Sequence, residues 1–524
     1  MSPGRSRSIG QWWMVRPEGA LLSGFFILVL SAVSSASDET IAPDSWVYPA
    51  LRTFELRGLV TLEPTVPYSR SQVERYLDSI LTGLDAEGAV LSGRQRFLLG
   101  RLRDEFEGRA SRPQDREDRP VFLYGEGGRF FAVDFTAGGV LQKRIDREKG
   151  EADGLLVPGI LIDLGDRLTL ETNYRVRIEP ERDRYRPRRK PSAREKSFRG
   201  VTMDFERGYL SVRGGEWRLQ LGRDYIHWGN GRSEGLLISR TAGSLDHVFG
   251  TVTMGRFTLS AIHAFLDPVM PRHLTGHRLT VRLPGKIYLG ISETVIYTGR
   301  GLDFVYLLPV VSYYANQYNE RGDDNVLVGI DVKIPVRRGF ILYGEILMDD
   351  LQYENDPPAP DRLAVNIAAE ALLSPAGRDV EVLVDYTFID IFTYAHRDSL
   401  ITRYVAGDGA YPANPILGSP LGPDADRWRF DVRAAVHPRI IVGLEGSFAR
   451  RGDGSDLREW DRGEDPDPPF PSGTVTREDR YGAALSVDLG GGSTFAAGGG
   501  WMDQSGTAAR LRESFAFAEL RIDF

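Results

Sequence analysis

From Arg129 onward, apolar and polar residues alternate with a period of two. In Arg167–Ile178, Leu168, Leu170, Thr172, Tyr174, Val176 and Ile178 share one face, and Thr169, Glu171, Asn173, Arg175 and Arg177 share the other. The segment His277–Leu283 sets Leu279, Val281 and Leu283 against Arg278, Thr280 and Arg282. Val380, Val382, Val384, Tyr386 and Phe388 oppose Glu381, Asp385 and Thr387, and Trp428–Val436 and Tyr481–Leu489 behave likewise. Successive side chains of a strand point to opposite faces, so each segment predicts a strand with one oily and one polar face. Charge is too frequent on the polar faces for the core of a soluble sandwich. It fits a barrel with lipid outside and a polar lumen inside, which assigns Val281 to lipid and Thr280 to the lumen. The chain stops on Phe524 at the end of one more alternating segment, with Ile522, Leu520, Ala518 and Ala516 on its apolar face. A closing strand of this kind belongs to an outer-membrane barrel, and Leu520, Ile522 and Phe524 are its expected assembly signal.

The connections count the strands. Very short turns are expected near Gly165-Asp166, Gly214-Gly215, Gly255-Arg256, Pro284-Gly285, Arg337-Arg338, Pro375-Gly377, Pro438 and Gly490-Gly492. Longer polar connections are expected near 142–153, 179–200, 224–246, 267–276, 298–324, 350–361, 391–427, 450–478 and 502–512. Short and long alternate throughout. The expected fold is an all-β transmembrane barrel of about 18 antiparallel strands, with short turns periplasmic and long loops outside.

The region before the barrel has a different period. Ser69 with Gln72, and Ser92 with Gln95, are capping boxes. Val73, Tyr76, Leu77, Ile80, Leu81 and Leu84 then form one helical stripe, and Leu98, Leu102 and Phe106, with Leu99 beside them, a second. Together they predict a small α-helical module on the periplasmic side. Arg5, Arg7 and Arg16 precede an apolar run from Ala20 to Val33, followed by Ser34-Ser35-Ala36, which reads as a cleavable secretory signal peptide. The expected organisation is a signal peptide over 1–36, the helical module and a charged linker over 37–120, and the barrel over 121–524. Export is expected to end in the outer membrane through the barrel-assembly machinery, as a monomer among outer-membrane lipid and lipopolysaccharide.

Composition narrows the chemistry. With 58 Gly and 30 Pro in 524 residues, turns abound, and with no Cys there is no disulfide or thiolate chemistry. Cleavage of residues 1–36 would remove three Arg and one Glu, taking the formal charge from -8 to -10, the wrong sign for a nucleic-acid partner. The seven histidines show no H-E-x-x-H pairing and there is no G-x-S-x-G elbow, so neither catalysis, a metal nor a cofactor is expected. The acidic connection around Asp453–Asp467 lacks the ligand spacing of a calcium loop.

The most distinctive stretch is Leu221-Gly222-Arg223-Asp224-Tyr225-Ile226-His227-Trp228-Gly229-Asn230-Gly231, followed by Leu236-Leu237-Ile238-Ser239-Arg240-Thr241-Ala242. It resembles a block of the Wzi family of outer-membrane capsule-assembly proteins, from which it departs at Asn230 and at Arg240-Thr241. Trp46-Val47-Tyr48-Pro49-Ala50-Leu51 with Gly58-Leu59, and Leu307-Leu308-Pro309 before Asp324-Asn325, are also similar to that family. The resemblance spans nearly the whole mature chain. It implies an eighteen-stranded barrel with a periplasmic helical bundle, and a lectin-like, non-enzymatic role in holding exported capsular or extracellular polysaccharide at the cell surface.

Sugar rings take aromatic faces, and their hydroxyls take Arg, Asp and Asn. The expected polysaccharide contacts are Arg223, Asp224, Tyr225, Trp228, Asn230, Tyr313 and Tyr314. The aromatics have a second reading as an interfacial girdle, and Arg223 and Asp224 as a lumen ion pair. Arg186, Arg188, Arg189 and Lys190, within a basic run in an outer loop, are expected to meet lipopolysaccharide phosphates or an acidic polymer, against the reading of a solvated loop. Two other classes stay open: a porin-like channel for small polar solutes, since eighteen strands can enclose an aqueous pore, and an outer-membrane hydrolase.

Overall fold

The computed structural model describes residues 39–88, 90–107, 120–126, 129–144, 150–164, 168–178, 201–232, 234–267, 271–320, 324–350, 360–396, 402–407, 415–458, 460–461, 463–506 and 510–523. The expected signal peptide, the linker Arg109–Arg119, the basic run with Arg186, Arg188, Arg189 and Lys190, and Phe524 lie outside the described residues.

Nineteen strands follow one another: β1 (Phe122–Glu126), β2 (Arg129–Arg144), β3 (Gly150–Asp163), β4 (Leu168–Ile178), β5 (Val201–Arg213), β6 (Trp217–Asp224), β7 (Leu245–Met254), β8 (Phe257–Asp267), β9 (Arg272–Leu283), β10 (Ile287–Thr298), β11 (Asn325–Arg337), β12 (Phe340–Asp350), β13 (Arg362–Leu373), β14 (Val380–Ile389), β15 (Ala425–His437), β16 (Ile440–Arg451), β17 (Thr476–Gly490), β18 (Ser493–Ser505) and β19 (Leu511–Asp523). From β2 to β19 each pairs antiparallel with the next, and β19 returns to β2 in the register Phe515↔Arg144 to Asp523↔Thr136. The result is a closed eighteen-stranded barrel. β1 is an addition that sequence counting did not include. It pairs with the first residues of β2, Phe122↔Val133 to Glu126↔Arg129, where β19 has already ended. Short and long connections alternate as expected, although the first outer one is tighter than its sequence suggests, since Lys143 already pairs with Gly150.

The alternation reads correctly onto the wall. Leu259, Leu279, Ile291, Ile330, Ile346 and Val365 stand opposite one another across six strands and form one apolar row. Ile291 and Ile346 in that row are 48 % and 46 % exposed, which in a barrel of this kind is area offered to acyl chains. Nearer the long loops, Tyr386, Trp428, Phe430, Phe448, Tyr481 and Trp501 touch in sequence with ring centroids 4.7–6.3 Å apart. This is an aromatic girdle, built from strand residues rather than from the loop aromatics. On β19, Leu520 is exposed and faces the same way, opposite Phe495, while Ile522 shares its face two residues on. Ile291→Arg should therefore cost about 2–4 kcal/mol if it lies near mid-bilayer, read from a urea refolding titration. Ser486→Arg, which points inward from β17 at an open stretch of wall, should cost far less. Thr280 also faces inward but is enclosed, so it would not serve as that control.

Among the described residues three helices precede the barrel: α1 (Val47–Leu56), α2 (Arg70–Glu87) and α3 (Gly93–Phe106). The predicted stripes of α2 and α3 form their common core, with Val73, Leu77, Ile80, Leu98 and Leu102 all buried. Ser92 and Gln95 complete a capping box, whereas Gln72 turns away from Ser69 toward Glu63 and Tyr76. Sequence reading missed α1, whose N-cap, Trp46, makes no side-chain cap. Among the described residues no helix is long and apolar enough to cross a membrane.

The module sits on the short-turn end and grips the rim on several sides. Gly339 N–H donates to Leu56 O and the Lys286 ammonium to Gly58 O, both at 2.7 Å. Arg94 donates to Pro438 O at 2.6 Å, Ser92 Oγ to Asp379 at 2.6 Å, and Arg101 pairs with Asp488. Deeper, Lys333 of β11 is enclosed with Glu55 of α1 at 2.6 Å. The helices thus form a floor across that end of the lumen.

Candidate functional site

The distinctive block lies in β6 and the β6–β7 connection, and that connection turns inward. His227 N–H donates to Val66 O (3.0 Å) and Val66 N–H to His227 O (3.1 Å), joining the loop to the N-terminal segment inside the barrel. Glu345, in the middle of β12, accepts from the backbone N–H of Gly231 (2.6 Å) and of Leu236 (3.1 Å). Gly229 is required twice over. Its φ is +110°, and a Cβ there would lie 2.0 Å from Glu345 Oε1. Arg232 makes a two-pronged pair with Glu370 of β13 at 2.9 and 3.0 Å. Asn230 donates to Asp331 of β11, which also binds Arg278 of β9. One loop therefore reads the inner faces of β11, β12 and β13 directly.

The predicted contacts separate. Trp228 is 1 % exposed, enclosed with Leu236, Leu274, Ile296 and Leu347 in the inner core, and offers no ring face to solvent. Its loop had been expected at the outer mouth. The carboxylates of Asp331, Glu345 and Glu370 on the inner wall draw it in instead. Arg223 and Asp224 are neighbours on a strand and point apart. Asp224 is fully buried in the lumen, where Arg207 Nε (2.9 Å), Thr40 Oγ1 (2.7 Å) and Gln220 Nε2 (3.0 Å) donate to it. Arg223 faces outward and pairs with Asp246 at 2.5 and 2.6 Å. The lumen ion pair thus exists for Asp224, with Arg207 as its partner. Tyr313 and Tyr314 belong to a helix on the other side of the wall, α4 (Tyr313–Glu320). Tyr225 and Asn230 remain together at the inner cavity.

That cavity, of about 1340 Å³, lies between the module, the infolded loop and the inner wall. Trp46, Tyr48, Tyr68 and Arg52 come from the N-terminal region, Tyr225, His227, Arg232 and Arg240 from the loop, and Arg175, Arg177, Glu206, Arg429 and Arg433 from β4, β5 and β15. It reaches the long-loop ends of β4 and β5. Among the described residues eight Arg or Lys and eight Asp or Glu line it, a set dense in hydrogen-bonding groups yet balanced in charge. The Tyr225 hydroxyl donates to Glu206 at 2.6 Å. The Arg177 side chain has no hydrogen bond or ion pair among the described residues. Burial, and then the charges of Arg240, Arg278 and Arg232, push the His227 imidazole down to about 3, so it is neutral at pH 7. Among the described residues no cluster of His, Asp and Glu could hold a metal ion.

Sequence reading missed Arg52, Arg232, Arg240, Glu345 and Glu370 as parts of this site. The signal was present in Glu345 and Glu370, carboxylates set in mid-strand among apolar neighbours, but which strands face one another across a lumen is not encoded locally.

A sequence profile described as capsule assembly protein Wzi matches residues 160–507. Among solved structures, the chain is similar to Wzi from Escherichia coli, described as an outer-membrane protein involved in group 1 capsule assembly and a carbohydrate-binding β-barrel. The TM-score is 0.60 at 14 % identity, covering 93 % of this chain and 100 % of that one. It also aligns with OccD3 from Pseudomonas aeruginosa, at TM-score 0.44 and 10 % identity over 78 % of this chain and 94 % of that one. No curated protein sequence matches it.

Proposed function

Since the chain belongs to the Wzi family of capsule assembly proteins, we propose that it is a non-enzymatic outer-membrane barrel that binds exported polysaccharide in its inner cavity and helps to hold it at the cell surface. The observation that carries this reading is the cavity itself. It combines four aromatic side chains with a dense, charge-balanced set of donors and acceptors and extends to the long-loop end. Sugar hydroxyls need paired donors and acceptors, whereas a pure polyanion would need an excess of cations. The floor of helices favours retention over diffusion of solutes. The orientation follows from export: the module and both barrel termini lie on the periplasmic side and the long loops outside.

In this reading Tyr225 and Arg177 contact the polymer, and the stacking role first expected of Trp228 passes to the cavity aromatics. Tyr225→Ala should weaken binding of the purified barrel to the producing cell's own exopolysaccharide several-fold, on the order of 0.5–1.5 kcal/mol by analogy with aromatic pairs. Heat-modifiable migration of the folded band should be unchanged. Arg177→Ala should weaken binding without loss of stability, because no described partner is orphaned. Wild-type protein that fails to retain exopolysaccharide in a pull-down, or a gene deletion that leaves capsule on the cells, would overturn the proposal.

A further inference from the structure

The β10–β11 connection leaves the mouth and lies on the outside of the barrel. Ile262, Leu274 and Ile296 face the inner core, so the alternate residues His263 on β8, His273 and His277 on β9, and Glu293, Val295 and Tyr297 on β10 point outward. On β11, Leu327 is inside and Val326 is outside. Bare, these positions would meet lipid. Instead Val295 and Tyr297 are 0 % exposed, packed with Val326 and with Tyr306 and Tyr313 of the connection.

Glu293 latches the segment. It accepts from Ser312 Oγ and from Tyr313 N–H, both at 2.9 Å, and lies 3.3 Å from His277 Nε2. Glu293 stands five residues inside the end of β10, about 17 Å along a strand and about 13 Å in depth for a strand tilted by about 40°. Arg300 makes a second clamp, at 2.6 and 3.0 Å from Asp324, with its guanidinium 4.7 Å from the Tyr297 ring centroid. Polar groups are thus spent against the wall, while Phe304 (73 % exposed), Leu308 (52 %) and Val310 (81 %) face away from it. A water-exposed loop would show the opposite distribution.

We propose that residues 299–320 are an interfacial anchor seated on the outside of the barrel, with Phe304, Leu308 and Val310 among the acyl chains of the surrounding leaflet. Acyl chains are the occupant because the patch continues the outward row through Leu279, Ile291 and Ile330 and lies below the strand ends. The anchor rests on the membrane placement of the barrel and is independent of what the cavity binds.

The chain has no Cys, so single nitroxide labels can be introduced without background. The full-length protein would carry Phe304→Cys or Val310→Cys in phosphatidylethanolamine–phosphatidylglycerol vesicles, with Ile291→Cys in the lipid row and Asp461→Cys in the β16–β17 connection as references. Collisions with oxygen should exceed those with a water-soluble nickel chelate at 304 and 310, as at 291, and the order should reverse at 461. Labels at 304 and 310 that follow 461 would overturn the anchor. So would labels shielded from both quenchers in a protein that migrates as a dimer, since a second copy would then cover the patch. If the label at 291 also reports water, the membrane placement falls and the anchor with it.

Discussion

Lys333→Met should lower the stability of the folded barrel by about 3–5 kcal/mol, because it leaves a carboxylate buried without its main countercharge. Lys333 and Glu55 side chains are 2 % and 1 % exposed, and the ammonium donates to Glu55 Oε1 at 2.6 Å and to Leu62 O. Arg52 and the Leu62 N–H (2.8 Å) remain on Glu55 in the variant, which places the loss toward the lower end. The midpoint of urea unfolding in detergent micelles measures it. The double variant Glu55→Met/Lys333→Met should recover much of the loss, since it removes both charges together. pH gives an independent readout. Burial pushes the Glu55 carboxyl up, but Lys333 and Arg52 more than reverse this and hold it below 4.5. A depressed carboxyl contributes stability that is present above its unfolded value and lost as pH falls through its folded value. The gap between wild type and Lys333→Met should therefore be full at pH 7 and shrink in acid below 4.5. The pair ties the helical floor to the wall, so the variant should also show current steps in a planar bilayer where the intact protein stays closed. A single variant with an unchanged midpoint would show that the module is held by its rim contacts alone.

Trp228→Ala should cost about 3–5 kcal/mol, as expected for deletion of a large aromatic from a packed core. The indole stands over Gly276 of β9, where a Cβ would come within 3.0 Å of its ring. Gly276→Val should accordingly destabilise as well, by overpacking rather than by a void. Both are read from the urea midpoint, with exopolysaccharide binding measured under conditions where the variant is still folded. Preserved stability with lost binding would make Trp228 a ligand contact after all. Lost stability with binding intact in the folded fraction is the expected result, because Trp228 forms a wall behind the cavity and not its lining.

The sequence alone determined the barrel, its strand number apart from the added β1, and which side chains point out of it. Alternation along a strand and the length of each connection are local properties, and closing a sheet imposes nothing that contradicts them. Leu279 and Val281 against Arg278 and Thr280 are read as well from the chain as from the fold. The stripes of α2 and α3 were legible for the same reason, whereas α1, lacking a side-chain cap, carried no local start signal. Only the tertiary structure decided where the long connections go. The block around Trp228 and the segment around Tyr313 look alike in sequence, as aromatic, polar loops at the outer rim. One is drawn into the lumen by Glu345, Asp331 and Glu370, and the other down the outside by Glu293. Each destination is set by carboxylates on strands far away in the chain, and a strand's register fixes the face on which a carboxylate stands but not which loop will reach it.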